Sequence, residues 1–418
     1  MSDLSLRPTP WSSRIGYVAS VVIMAGMIGS KFLTTIGMLL LLVAAIIALV
    51  QDKLWSRLWQ NKTHLATASL FFLILISALL SENTTENMNR IRIALPLLVL
   101  PFSFAAIPDW TNKQYQQLLA IFCYSMTVAC LAVLGNYLLH FEEMQAILKA
   151  SGAIPTPNGE HIRFSLMTNI AIFGGIWLYS SRSYRQSYWY IEKWLLLVSI
   201  FLLILSVHIL SVRTGLLGFY AGVGISIMQL MLRQRRYKLG IVVLITAMAI
   251  PYFAVRYVPS IRTKYELTRF NIKLFELGEI GEYSDTRRLL SYQMAWQVAQ
   301  KSPWWGVGIG DLLDEQEKMY KASYPEQKVM YPHNQFLTIY VAAGVVGFLI
   351  FLFAIFYPFW DKRQYQQYFL LIFLSIMLLS FLTENTLLSS VGVAIYTFFL
   401  GLTANYLQGE HSSKRAIE

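Results

Sequence analysis

Long apolar runs alternate with short polar connectors along most of the chain. A helix that crosses a membrane needs about 20 mostly apolar residues, and about twelve runs meet that length. Their centres lie near residues 22, 41, 72, 99, 126, 171, 199, 222, 247, 345, 373 and 397. The run Leu95–Ala106 contains Pro96 and Pro101, so we expect it to be kinked or broken. The pattern predicts an all-α, polytopic integral membrane protein.

One long segment, residues 258–332, interrupts this alternation. It mixes both signs of charge and has helical periodicity in places, with a helix predicted to begin at Ser284 or Asp285 and to end before Pro303. Connections this long are uncommon unless they are functional. We therefore divide the chain into four parts. They are an N-terminal bundle of about nine membrane helices (1–257), a large, mostly helical loop (258–332), C-terminal membrane helices (333–408) and a tail (409–418).

The charge of the connectors predicts the orientation. Connectors rich in Lys and Arg stay in the cytoplasm. With the N-terminus inside, alternate connectors such as Asp52–Lys62, Arg182–Lys193 and Arg233–Lys238 fall inside and are rich in these residues. Both termini are then cytoplasmic, and the large loop lies on the outer side of the membrane.

Composition excludes two other classes of protein. The chain is 56% hydrophobic and 14% charged, far less charged than a soluble domain. Its net charge of +11 does not indicate a nucleic-acid partner, because the Lys and Arg residues occupy short connectors rather than one basic face. The two cysteines, Cys123 and Cys130, would lie about 10 Å apart along one helix, too far for a disulfide.

Several arginines lie where the positive-inside rule disfavours them. Arg213 follows an apolar run directly, Arg163 opens the predicted outer end of its span, and Arg287 and Arg288 lie in the large loop. Each could reach lipid headgroups or pair with a loop carboxylate. Arginines clustered on one face also suit bidentate binding of phosphate oxygens, and the phosphate at that depth is a lipid head.

His333 follows Pro332 where the large loop returns to the membrane. It is a candidate general base, although a lone histidine more often serves packing or hydrogen bonding. Glu384, in an outer turn, is either structural or a partner for an arginine. His161, beside Glu160, could be imagined as a ligand, but no His, Cys, Asp and Glu set has metal-site spacing.

Glycine-rich stretches have structural interpretations. The stretch Gly306–Gly310 follows a helix rather than a strand, so we interpret it as a turn rather than a nucleotide-binding loop. Gly218 and Gly222 are spaced for close packing of helices.

Together these residues resemble the O-antigen ligase and polymerase superfamily. The matching elements are Ser211–Gly218, Arg288 ahead of Pro303–Gly308, Pro332–Phe336 followed by Gly344–Gly347, and Arg163 ahead of Asn169. They occur in the family's order and spacing, most strongly from Arg163 to Gly347. One departure is Tyr292, where members often have Trp.

The resemblance implies a glycosyltransferase that needs no metal or other cofactor and acts at the outer face of the Gram-negative inner membrane. Its donor would be a glycan on undecaprenyl-pyrophosphate. Ligases transfer this glycan to lipid A-core oligosaccharide, polymerases to another carrier-linked glycan, and protein O-oligosaccharyltransferases to Ser or Thr. Short outer loops near residues 82, 150 and 384 favour a ligase. A lipid-linked glycan transporter would instead favour midplane charges and inverted repeats, which the sequence lacks.

We predict Arg213, Arg288 and His333 as catalytic residues. The two arginines would stabilise the pyrophosphate as the glycosidic bond breaks, and His333 would accept the proton of the acceptor hydroxyl. The predicted substrate-binding residues are Arg163, His161, Arg287, Asn334 and Glu384.

Overall fold

The computed structural model describes residues 11–149, 153–181, 184, 190–234, 238, 241–242, 245, 249, 256–257, 259–278 and 284–415. Within these ranges the chain forms helices, turns and irregular segments without β-strands, which confirms the all-α prediction.

The first part of the chain forms eleven helices in the described residues. They are α1 (Trp11–Gly29), α2 (Lys31–Val50), α3 (Arg57–Gln60), α4 (Lys62–Leu79), α5 (Thr84–Ala94), α6 (Pro96–Ala106), α7 (Asn112–Leu139), α8 (Phe141–Lys149), α9 (His161–Ser180), α10 (Tyr190–Leu210) and α11 (Arg213–Gln234).

The predicted large loop contains α12 (Pro259–Glu276), α13 (Ser284–Lys301) and α14 (Leu312–Ser323), so it is mostly helical as predicted. The C-terminal part contains α15 (Gln335–Trp360), α16 (Tyr368–Thr383) and α17 (Ser390–Arg415), with short 3-10 helices at Asp361–Gln366 and Thr386–Leu388. Helix α17 continues past residue 408, where we placed the beginning of the tail.

Ten helical segments of the described chain are long and apolar enough to cross a membrane, and they include ten of the predicted spans. The predicted span near residue 373 corresponds to α16, which is apolar but shorter. The predicted span near residue 247 lies outside the continuously described ranges. The proline-containing run is broken as expected, because α5 ends at Ala94 and α6 begins with Pro96.

Helix α15 is interrupted at Gly344, and the turn after α13 fills the interruption. Gly344 has φ 62°, and a Cβ atom there would lie 2.2 Å from the Trp304 backbone. The Val345 N–H donates to the Pro303 carbonyl (2.9 Å), and the Val307 N–H donates to the Val341 carbonyl (3.0 Å). Backbone groups that the helix break leaves without partners are thereby satisfied at membrane depth.

The remaining glycine predictions concern packing. The turn at Gly306–Gly310 follows Pro303 as predicted, and a Cβ at Gly306 would lie 2.4 Å from the Ala342 backbone. On α11, Gly222 packs against the ring of Phe173, as expected for a helix contact. Both cysteines are buried and free.

Candidate functional site

A cavity of about 570 Å³ lies where the ends of several helices meet. Its walls come from α5, the start of α9, α13, the segment before α15 and the turn after α16. The charged and titratable residues that line it are Arg90, Arg163, Arg287, Lys328, His333 and Glu384. Four permanent cations therefore surround one carboxylate, and the cavity favours an anionic ligand.

Glu384 is the central residue of this cavity. It caps the C-terminal end of α16, with its N–H donating to the Ser380 carbonyl (2.8 Å), and its side chain is 4% exposed. Its Oε1 atom accepts from Nη2 of Arg288 at 2.6 Å, and its Oε2 atom lies 3.0 Å from Nδ1 of His333. One carboxylate thus fixes two of the predicted catalytic side chains.

The charges around Glu384 keep it ionised. Burial raises the pKa of its carboxyl, but the His333 hydrogen bond and the charges of Arg288, His333 and Arg163 outweigh burial, so the net pKa is lowered. An ionised carboxylate only accepts hydrogen bonds, so Nδ1 of His333 must carry the proton. In a neutral ring Nε2 is then the acceptor, which is the state that a general base needs.

Arg163 joins the start of α9 to the same turn. Its Nη2 atom donates to the Asn385 carbonyl at 2.9 Å, and its Nε atom lies 3.8 Å from Glu160. The Asn385 side chain in turn donates to the Pro332 carbonyl and accepts from the Thr338 hydroxyl at 2.7 Å. The turn at 384–385 therefore connects α9, α13 and α15 around the cavity.

Helix α13 presents a stripe of side chains to α15. Arg288, Tyr292 and Trp296 follow each other at intervals of four residues, which places them on one helix face. The Tyr292 hydroxyl donates to the His333 carbonyl at 2.8 Å. Trp296 stacks on Tyr340, with 6.0 Å between the ring centroids. Tyr292, the departure from the family pattern, therefore supports the backbone of His333.

Arg90 and Tyr331 form a wall of the cavity that we did not predict. Arg90 donates to Glu86 (2.7 Å) and to the Tyr331 hydroxyl (2.9 Å), and its guanidinium lies 4.8 Å from the centre of the Tyr331 ring. Burial raises the pKa of Tyr331 to about 12, so its hydroxyl remains protonated. The signal was present, because Arg90 closely follows a predicted outer connector, where positive charge is disfavoured. Lys328 and Asn385 gave no such signal.

Two cations of the cavity are available to a ligand. Arg287 and Lys328 have no ion-pair or hydrogen-bond partner among the described residues, and Lys328 is exposed. Arg288, Arg163 and Arg90 are already engaged with protein acceptors. A guanidinium offers five donors, so the engaged arginines also keep N–H groups for a ligand.

Four predicted residues lie outside the cavity lining, namely Arg288, Arg213, Asn334 and His161. Arg213 is exposed at the first position of α11. Its neighbour Gly215 packs on Ser165, and the Gly215 carbonyl accepts from Asn169 (2.7 Å). The start of α11 therefore lies beside the first turns of α9, at the same end of the bundle as Arg163.

Asn334 and His161 complete the set of predicted residues. The Asn334 side chain caps α15 by accepting from the Leu337 N–H (3.0 Å) and donates to the Leu382 carbonyl (3.1 Å). It thus supports the segment that carries His333. His161 is half-buried at the start of α9, where the charges of Glu384 and Arg163 act on it.

The metal-ligand possibility at residues 160 and 161 gains no support. Glu160 pairs with Lys31 (2.6 Å) and accepts from Ser389 (2.5 Å). No group of three or more His, Cys, Asp and Glu side chains in the described part of the chain has the arrangement to hold a metal ion.

The family model for O-antigen ligase matches residues 197–352. This range includes Arg213, Arg288 and His333, whereas Arg163 and Glu384 lie outside it. No curated protein matches the chain.

Proposed function

We propose that the chain is an O-antigen ligase, because its residues 197–352 match the family model for O-antigen ligase. It transfers a glycan from undecaprenyl-pyrophosphate to lipid A-core oligosaccharide, at the periplasmic face of the Gram-negative inner membrane, with both termini in the cytoplasm. The reaction inverts the anomeric carbon and needs neither a metal nor another cofactor. The observation that carries this proposal is the Glu384 carboxylate, which lines the cationic cavity together with His333 and binds both His333 and Arg288.

The arginines act on the donor. Arg288, with Arg163 and Arg213 from neighbouring helix ends, binds the pyrophosphate. Arg287 adds a cation that has no ion-pair partner in the described part of the chain. As the bond between the anomeric carbon and the pyrophosphate oxygen breaks, negative charge grows on the leaving group. Donors that are already in place stabilise this charge without reorganising.

His333 acts on the acceptor. The oxygen of an acceptor hydroxyl forms the new bond to the anomeric carbon while its proton passes to Nε2 of His333. The carrier leaves as undecaprenyl-pyrophosphate. Glu384 stabilises the imidazolium that forms and holds the ring in the required tautomer, as carboxylates do beside catalytic histidines. Direct attack leaves no covalent glycosyl-enzyme, so trapping such an intermediate or finding net retention would contradict this mechanism.

The test is transfer by the purified protein with a carrier-linked glycan, in metal chelator, with or without lipid A-core acceptor. A ligase gives a shifted lipopolysaccharide band only when the acceptor is present. Longer carrier-linked glycan without that acceptor would identify a polymerase. Absence of product from folded protein with matched substrates would contradict both activities and leave a protein acceptor or transport.

A further inference from the structure

A second cavity, of about 690 Å³, lies between α4 and α15 at the end of these helices opposite His333. Helix α4 contributes Leu65, Ala66 and Ser69, which follow the period of one helix face. Leu349, Ile350 and Phe353 form the facing wall on α15. The two helices are antiparallel here, because the Thr63 hydroxyl donates to Asp361 (2.7 Å) while Ser77 donates to Ala342 (2.9 Å).

This cavity opens sideways out of the helix bundle. Phe353 is 61% exposed and Leu349 is 59% exposed, although both belong to a membrane-spanning helix. Such a face contacts hydrocarbon rather than water. Since Ala66 and Ser69 are small, they leave a recess between the two helices. The apolar part of the cavity therefore suits an acyl chain.

The polar groups of the cavity lie at one end. Lys62 is the first residue of α4, is exposed and has no ion-pair partner among the described residues. Tyr357 lies near the end of α15, at the same level. The nearby Asp361 carboxylate is buried and accepts from the N–H and hydroxyl of Thr63, so it does not neutralise Lys62 by an ion pair.

Exposed tryptophans mark the same level of the bundle. Trp59 precedes α4 and is 74% exposed, and Trp360 ends α15 and is 69% exposed. Tryptophan is enriched at the depth of lipid headgroups. Lys62 and Tyr357 therefore lie where a headgroup phosphate lies when its acyl chain occupies the recess.

We propose that this cavity, the α4/α15 groove, binds one anionic phospholipid of the adjacent leaflet. One acyl chain packs between Leu65 and Phe353, and the headgroup phosphate accepts hydrogen bonds from the Lys62 ammonium and the Tyr357 hydroxyl. The unpaired lysine gives the groove a preference for a net negative headgroup. This site is separate from glycan transfer and does not depend on the proposed function.

The test is lipid retention by the full-length protein. Detergent-purified protein is mixed with equal amounts of phosphatidylglycerol and phosphatidylcholine of matched chains, and the bound lipid is counted by native mass spectrometry. We expect one phosphatidylglycerol to be retained preferentially. Lys62→Gln should reduce that preference by about fivefold, the ratio that corresponds to about 1 kcal/mol per lysine. Lys113→Gln, an exposed lysine that does not line the groove, is the matched control and should change nothing.

A second variant tests the apolar part independently. Ser69→Phe fills the recess and should remove retention of both lipids, whereas Lys62→Gln should remove only the preference. Thermal unfolding of each variant establishes that it is folded. Equal retention of both lipids by the wild type would overturn the proposal. So would an unchanged ratio of phosphatidylglycerol to phosphatidylcholine in Lys62→Gln, or full lipid retention by folded Ser69→Phe.

Discussion

Nδ1 of His333 lies 3.0 Å from Oε2 of Glu384, although the two residues are 51 positions apart in the chain. Asn334 connects the same two segments by its bond to the Leu382 carbonyl (3.1 Å), and Asn385 connects them by its bond to the Pro332 carbonyl. The Glu384 carboxylate therefore binds the imidazole directly, while the bonds of Asn334 and Asn385 hold the segment of His333 against the segment of Glu384. Its orientation is fixed before any substrate binds.

Glu384→Gln should disable His333 while leaving its position unchanged. A glutamine amide can donate to Nδ1, which moves the ring proton to Nε2 and removes the acceptor that the reaction needs. Loss of the correct tautomer in a comparable histidine–carboxylate pair lowers the rate by about 10⁴-fold, so we expect a fall of about 10²–10⁴-fold in transfer. Single-turnover transfer with saturating substrates measures the chemical step.

Glu142→Gln is the control for this variant, because Glu142 is an exposed carboxylate on α8 outside the cavity. It should transfer glycan like the wild type. If Glu384→Gln retained full activity, the tautomer role of Glu384 would be wrong. If Glu384→Gln were inactive but His333→Ala active, the base would be another residue.

Arg288 and Arg287 are adjacent but should respond differently to substitution. Arg288→Ala leaves the Glu384 carboxylate with one cation fewer, so we expect lower stability by about 1–3 kcal/mol as well as loss of transfer. Arg287 has no ion-pair or hydrogen-bond partner among the described residues, so Arg287→Ala should weaken donor binding and leave the unfolding temperature unchanged. Thermal unfolding and KM for the donor measure the two effects. Equal loss of stability in both variants would contradict the assignment of Glu384 to Arg288.

Arg213→Ala tests whether an arginine outside the cavity lining takes part in transfer. Arg213 is exposed at the start of α11, so its removal should leave insertion and the unfolding temperature close to wild type. If Arg213 reaches the pyrophosphate, transfer should be abolished. The exposed Arg262, which pairs with Glu266 on α12, provides the control Arg262→Ala. Full activity of Arg213→Ala would remove Arg213 from the site.

The lowered pKa of Glu384 predicts a difference in acid sensitivity. A carboxyl whose pKa is lower in the folded state contributes stability above its unfolded pKa of about 4.3 and loses that contribution as pH falls through its folded pKa. Wild type should therefore exceed Glu384→Gln in unfolding temperature by a constant margin at neutral pH, and the margin should narrow below about pH 4. Thermal unfolding from pH 7 to pH 3 measures this difference. A margin that widened on acidification would contradict the sign of the shift.

The sequence predicted helix positions well, because membrane spans depend on local composition. Ten predicted spans are helices, and the break at Pro96 follows from the missing N–H of proline. His333 and four arginines could be selected because each breaks a local expectation, such as charge placed against the topology rule. Asn385 breaks no such expectation, and its contacts with residues 163, 332 and 338 depend on packing between distant helices.

The partners of Glu384 also could not be predicted from local sequence. Its position in a predicted outer turn indicated an arginine partner, but not which arginine and not the histidine. Pairing of Glu384 with any of the predicted arginines would have agreed with the local charge pattern. Only the arrangement of α13, α15 and α16 selects Arg288 and His333 together, and that arrangement depends on the interruption of α15.

Gly344→Ala should therefore weaken both the fold and the reaction. Gly344 has φ 62°, and the added Cβ would lie 2.2 Å from the Trp304 backbone. The Trp304 carbonyl accepts from the Val346 N–H, so moving this backbone would break a hydrogen bond to α15. We expect a loss of at least about 1–3 kcal/mol in stability from the positive φ alone. Because α13 leads into this turn, displacement of the turn should also shift Arg288 and lower transfer. Gly135→Ala, with open space at its Cβ within α7, should keep or raise stability. Thermal unfolding and transfer assays compare the two variants, and a stable, active Gly344→Ala would show that the turn does not position the site.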